Sequence, residues 1–108
     1  MPGLKRIGDL ACEYNISNRT LRYYEELGLL ESIRDKDSQY RYYDEKAAEK
    51  LEQILILRRL DFSVKEIQFL FSSAGIEDVI SILKNKLKDL AEQRALLTYY
   101  VKSRRQSA

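Results

Sequence analysis

Hydrophobic and polar positions along this chain follow a helical period in five stretches and break from it in one. Ile7, Leu10, Ala11 and Tyr14 recur at three- and four-residue steps, which predicts a two-turn amphipathic helix. Asn15-Ile16-Ser17 then makes a tight connection, with Ile16 placed to plug the gap between two helices. Ser17 reads as the N-cap of a second helix, because its hydroxyl can accept from an otherwise unpaired first-turn amide. Leu21, Tyr24 and Leu27 form that helix's inward stripe, and Gly28 ends it where a left-handed residue costs little. Its opposite face carries Arg19, Arg22 and Tyr23 at i, i+3, i+4, so these side chains project together into solvent.

Residues 31–43 change period. Ser32-Ile33-Arg34 and Tyr40-Arg41-Tyr42-Tyr43 flank Asp35-Lys36-Asp37-Ser38-Gln39, a polar cluster of turn formers, and together predict a small β-hairpin. Tyr40 and Tyr42 then face one side and Arg41 and Tyr43 the other. Tyr42 is expected to pack on the core, whereas Arg41 has no evident structural task. Asp44 caps a third helix that runs to about Leu60, with Ala47, Ala48, Leu51, Ile54, Leu55, Ile56 and Leu57 making it the most apolar. Arg58 and Arg59 in its last turn suit either the helix's negative end or a phosphate. Ser63 and Glu66 read as a capping box, and Phe62 with Ile67 as the hydrophobic staple, of a fourth helix that buries Ile67, Leu70 and Phe71. Ser72-Ser73-Ala74-Gly75 breaks it.

From Ile76 to about Ser103 there is neither Pro nor Gly. Positions 76, 80, 83, 87, 90, 94, 97 and 101 alternate four- and three-residue steps, and all but Arg94 are apolar. Ile76, Ile80, Leu83, Leu87, Leu90, Leu97 and Val101 thus form a coiled-coil seam on a helix roughly 42 Å long. So small a domain cannot cover a stripe of that length, so a partner helix is expected, most simply from a second copy. Arg94 within the stripe is a candidate for setting register.

Composition narrows the chemistry. The 108 residues suit one modest domain plus a protruding element. No apolar run approaches the ~20 residues that span a bilayer, and the N-terminus lacks a signal-peptide core, so the expected location is cytoplasmic. Histidine is absent and no nucleophile–base pair is visible, which argues against an enzyme. No cofactor and no metal site are expected. Cys12 is the single cysteine, and its place in the first helix suggests a small half-buried packing residue. The net charge is only +2, and residues 1–43 hold seven basic and seven acidic side chains. Any nucleic-acid binding must therefore come from a local arrangement of Arg, Lys and Tyr. Helix, short turn, helix with two guanidiniums and a phenol on its free face is the helix-turn-helix layout, and a hairpin directly after it is a wing. Arg41 and Lys36 are the wing's candidates for reaching backbone or minor groove.

These segments resemble the DNA-binding part of the mercury-resistance regulator (MerR) family of bacterial transcription factors. The resemblance lies in Ile7-Gly8-Asp9-Leu10-Ala11, in Ser17 to Leu30 around Thr20-Leu21-Arg22-Tyr23-Tyr24-Glu25, in Tyr40-Arg41-Tyr42-Tyr43, and in Phe62-Ser63-Val64-Lys65-Glu66-Ile67. It covers residues 5–72, and the seam helix resembles the family's dimerisation helix. It implies a mainly α fold, a winged helix-turn-helix of four short helices with a small β-hairpin wing (1–74), followed by a long coiled-coil dimerisation helix (75–108). It further implies a homodimer held by antiparallel long helices. DNA contacts would then fall on Ser17, Arg19, Thr20, Arg22, Tyr23 and Tyr24 of the recognition helix, on Arg41 and Tyr42 of the first wing, and on Lys65 and Arg59 near a second. The implied partners are an inverted-repeat promoter duplex, a second copy, and RNA polymerase indirectly, through bending and untwisting of an overlong spacer. Family members that sense drugs, metals or redox state carry a C-terminal domain or cysteines near the end of the long helix, and neither is expected in this chain. Gln39 and Asp61 stand where the family usually has Gly, which bears on both turns. The competing reading is an adaptor that keeps the fold but turns the Tyr/Arg ridge to a protein partner.

Overall fold

A computed structural model of the chain describes residues 3–37, 40–72 and 75–107. The elements follow the order β1 (Lys5–Arg6), α1 (Ile7–Glu13), α2 (Asn18–Glu26), β2 (Ile33–Arg34), β3 (Arg41–Tyr43), α3 (Glu45–Arg59), α4 (Val64–Phe71) and α5 (Ile76–Ser107). The chain divides into two compact units, residues 1–72 and 73–108. The fold is mainly helical, with one small sheet and a long C-terminal helix, as the hydrophobic spacing predicts.

In the first unit α1, α2, α3 and α4 surround a core in which Leu10, Leu21, Leu30, Tyr43, Leu51, Ile54, Phe62 and Ile67 are under 2% exposed. Each such side chain contributes about 1.5–3 kcal/mol of transfer free energy. Helix starts obey local capping rules. Ser17 Oγ accepts from Thr20 N at 3.0 Å, Asp44 Oδ1 from Ala47 N at 2.9 Å, and the Ser63–Glu66 capping box is complete. Phe62 and Ile67, the predicted staple, are 1% and 0% exposed. Leu27, Leu70 and Phe71 are half-buried instead of buried.

Three helices end the same way. Asn15 (φ 56°), Gly28 (φ 78°) and Asp61 (φ 65°) each sit in the left-handed region one residue past a helix C-cap. The amide after each returns to a carbonyl five residues back: Ile16 N to Ala11 O at 2.9 Å, Leu29 N to Tyr24 O at 3.0 Å, Phe62 N to Leu57 O at 3.0 Å. That is the Schellman closure. Asp61 therefore occupies the conformation that glycine would take, because a short polar side chain tolerates positive φ. The Gln39 position lies outside the described residues.

The hairpin supplies two strands of a three-stranded antiparallel sheet ordered β1-β3-β2, with Lys5 opposite Tyr43, Arg6 opposite Tyr42, Ile33 opposite Tyr42 and Arg34 opposite Arg41. Hydrophobic spacing does not reveal β1, because two residues carry no period. Tyr43 is the core ring at 1% exposure, while Tyr42 is half-buried, the reverse of the expected emphasis. Tyr43 shares its face with Arg41, two residues away, and that face is turned toward α2. Cys12 is exposed, not half-buried, since Leu10 and Ala11 take the inward positions of α1.

The second unit is the 32-residue helix α5, about 48 Å long at the helical rise. Ile76, Ile80, Leu83, Leu87, Leu97 and Val101 are exposed, from 39% at Leu83 to 75% at Ile76, and Leu90 is half-buried. No helix among the described residues is long and apolar enough to cross a membrane.

Candidate nucleic-acid interface

The outward face of α2 is built by subtraction. Leu21 and Tyr24 are drawn into the core, which leaves Asn18, Arg19, Arg22, Tyr23 and Glu26 lining a shallow hollow on the solvent side. Arg19 and Arg22 are exposed, and Tyr23 is 46% exposed with its ring centroid 6.1 Å from that of Tyr24. Guanidiniums suit phosphate oxygens and the acceptor edge of guanine, and an exposed phenol suits a phosphate. Tyr24, by contrast, is 6% exposed and lies with Leu21 on the buried side of α2. Ser17 and Thr20 are occupied at the helix start, their hydroxyls 2.8 Å apart. The start of α2 beside them is the positive end of its dipole, which favours an anion.

The sheet presents two different faces. On one, the Arg6 guanidinium lies over the Tyr40 ring, 4.3 Å from its centroid, and 5.9 Å from the centroid of Tyr42, a cation–π contact. Lys36 is exposed in the turn, beside a hollow that it lines with Leu4, Ile33, Arg34 and Tyr42. On the other face, Arg41 Nη1 donates to Glu25 Oε2 at 3.2 Å, and Tyr43 Oη donates to the same oxygen at 2.9 Å. Ser32 Oγ donates to Glu25 Oε1. Arg41, for which the hairpin pattern offers no structural task, thus has one: it pairs with α2.

Burial by itself pushes the Glu25 carboxyl up, but the hydrogen bonds from Ser32 and Tyr43 and the Arg41 charge outweigh it and hold the group below the usual carboxylate range. The Tyr43 phenol is pushed well up, first by burial and then by the hydrogen bond and negative charge of Glu25. At neutral pH the site therefore holds a carboxylate, a guanidinium and a neutral phenol.

Arg59 and Lys65 lie at the α3–α4 end. Arg59 is exposed and lines a hollow with Tyr14, Asn15, Glu52 and Ile56, and Lys65 is exposed in the first turn of α4. Arg58 closes the intervening turn by donating to Phe62 O at 2.9 Å. The structure thus ties one hairpin candidate, Arg41, to α2 through Glu25, while Lys36 and Tyr42 line a hollow elsewhere on the sheet and Arg59 and Lys65 lie at the α3–α4 end. Glu25 and Arg6 are the two residues that reading by spacing overlooks. For Glu25 a signal exists: a carboxylate in the last turn of a helix opposes the macrodipole, so a compensating partner is called for. For Arg6 none exists, because its partners are 34 and 36 residues away.

Residues 5–74 match the profile of the MerR helix-turn-helix family of regulatory proteins. The nodulation protein NolA of Bradyrhizobium elkanii is 36% identical over 93 residues, covering 86% of this chain and 42% of NolA. The mercuric resistance operon regulatory protein of Bacillus cereus is 35% identical over 90 residues, covering 79% of this chain and 68% of that protein. Among solved structures, HiNmlR, a MerR family regulator lacking the sensor domain and bound to promoter DNA, superposes with a TM-score of 0.72 at 27% identity. That match covers 92% of this chain and 79% of HiNmlR. The chain spans less than half the length of NolA.

Proposed function

The chain belongs to the MerR family of helix-turn-helix regulatory proteins, and from that premise we propose that it binds promoter DNA sequence-specifically as a homodimer and bends and untwists the spacer. The observation that carries this reading is the α2 face: Arg19, Arg22 and Tyr23 stand free on a helix whose other face is locked in the core. The seam residues of α5 support pairing with a second copy, through an antiparallel coiled coil that removes their apolar surface from water. Two copies would present two α2 helices and two wings, which supplies contacts on both sides of a deformed step, as untwisting a duplex requires. RNA polymerase would then respond to the altered spacer. Such a ligand places the protein with the chromosome in the cytoplasm. Lys36, Arg41, Tyr42, Arg59 and Lys65 are the proposed flanking contacts.

Selection of bound duplexes from a random pool tests this directly. The expected result is an inverted repeat, with log K falling against log salt by ~0.9 for each phosphate contact. Absence of duplex binding at low salt would overturn the reading in favour of an adaptor that uses the same ridge on a protein.

A further inference from the structure

Glu25 stands where helix physics disfavours it. It is in the last turn of α2, beside Glu26, facing the partial negative charge of the helix C-terminus. Its side chain is 19% exposed, so water screens and solvates it poorly. A carboxylate in that place needs donors, and all three of its side-chain donors come from the segment that builds the hairpin. Ser32 sits just before β2, and Arg41 and Tyr43 lie on β3. One side chain of the recognition helix is thereby tied to β3 and to the residue that leads into β2, and Tyr43, at 1% exposure, roots the tie in the core.

Resting on the DNA-binding reading above, we propose that Glu25 is a positioning residue: it fixes the wing against α2 and aims the Arg41 guanidinium at the DNA backbone. A guanidinium has five N–H donors, and the Glu25 contact uses one of them, at Nη1. The Arg41 side chain remains 37% exposed, so its other donors can meet a phosphate. An arginine free in solvent surrenders rotamer freedom when it binds; one already held has surrendered it during folding. The depressed protonation of Glu25 agrees with a carboxylate that stays charged while doing this. The rival role is opposite in sign. Were Glu25 merely a competitor for the guanidinium, its removal would free Arg41 and tighten DNA binding.

The test is a double-mutant cycle with the full chain and a duplex recovered in the selection above, read at several salt concentrations. Glu25→Gln is expected to weaken binding about tenfold, the size of one charge-assisted hydrogen bond, while cooperative melting is retained. Arg41→Ala should weaken it similarly and reduce the salt slope by ~0.9. The double variant should lose no more than about twofold beyond the worse single variant, because the first change already removes what the second would. Should Glu25→Gln not fold cooperatively, Glu25→Asp, which keeps the charge on a shorter arm, replaces it in the cycle with the same expectation. Additive losses, unchanged affinity or tighter binding by the Glu25 variant would overturn the positioning role while leaving the DNA-binding reading intact. Wild-type chain that binds no duplex would overturn both.

Discussion

Residues 3–72 and the helix α5 are both amphipathic, yet only the former bury what their pattern marks for burial. Among the described residues, every apolar side chain under 9% exposed lies between Leu10 and Ile67, and none lies in α5. In the first unit four short helices and a small sheet converge, so each apolar stripe meets another and water is excluded from between them. In α5 the stripe is longer and more regular, yet Ile76, Ile80, Leu83, Leu87, Leu97 and Val101 are all exposed. A hydrophobic repeat thus specifies which face needs covering without supplying the cover. Convergence of several elements makes a core, whereas an apolar stripe on one helix leaves the covering surface unspecified.

The strongest way to break this comparison is to hollow the first unit. Leu51 is 0% exposed on the most apolar helix, and Leu51→Ala should cost about 2–5 kcal/mol, a large share of a small domain's stability, in thermal or urea unfolding. A cost below ~1 kcal/mol would mean that this core is not the cooperative unit. Next in size is the seam. Under the proposed pairing, Leu87→Asp should shift the population to monomers in sedimentation, weakening association at least about a hundredfold, because two unpaired carboxylates would enter a dry interface. Intact dimers in that variant would place the interface elsewhere.

The third prediction concerns acid. The Glu25 carboxyl is held below its ordinary value of 4.5, so its ionised form stabilises the folded state. That contribution is fully present above the unfolded value and is lost as pH falls through the lower, folded one. Melting temperature should therefore decline below about pH 4.5, and the decline should be shallower in Glu25→Gln. Equal slopes in the two proteins would remove Glu25 from the account. The smallest effect is expected at Asp61. Its φ of 65° is one that glycine adopts without a Cβ penalty, so Asp61→Gly should stabilise the first unit by up to ~1 kcal/mol. The same change in α5, which lacks any left-handed residue among those described, would only weaken the helix. A destabilised Asp61→Gly would show that the aspartate side chain itself holds the turn.

Much of the architecture is legible without coordinates, for a reason of range. Caps, staples and helical stripes are decided within about four residues, so Ser17, Asp44, the Ser63–Glu66 box and the apolar stripe of α5 declare themselves from spacing alone. The exposed Arg19, Arg22 and Tyr23 follow from the same local geometry, once Leu21 is recognised as inward. Helix-end chemistry is nearly as readable at Gly28. At Asp61 residue identity permits the left-handed turn that the backbone makes but does not single it out as glycine would.

What the sequence could not determine lies at longer range. The third strand exists because the edge of β3 accepts Lys5 and Arg6 from residues nearly forty positions away, and a two-residue strand has no pattern of its own. Tyr42 and Tyr43 exchange their expected roles because which face of β3 meets α2 depends on the packing of both, not on alternation along one. Glu25 joins Arg41 and Tyr43 across 16 and 18 residues, so its charge has no local explanation and its partners appear only when the helix and the wing are brought together. Sequence alone settled where this chain is helical and which surfaces it offers. Tertiary structure decided which of its polar side chains hold one another, because electrostatic partnership depends on distance through space and spacing along the chain records only neighbours.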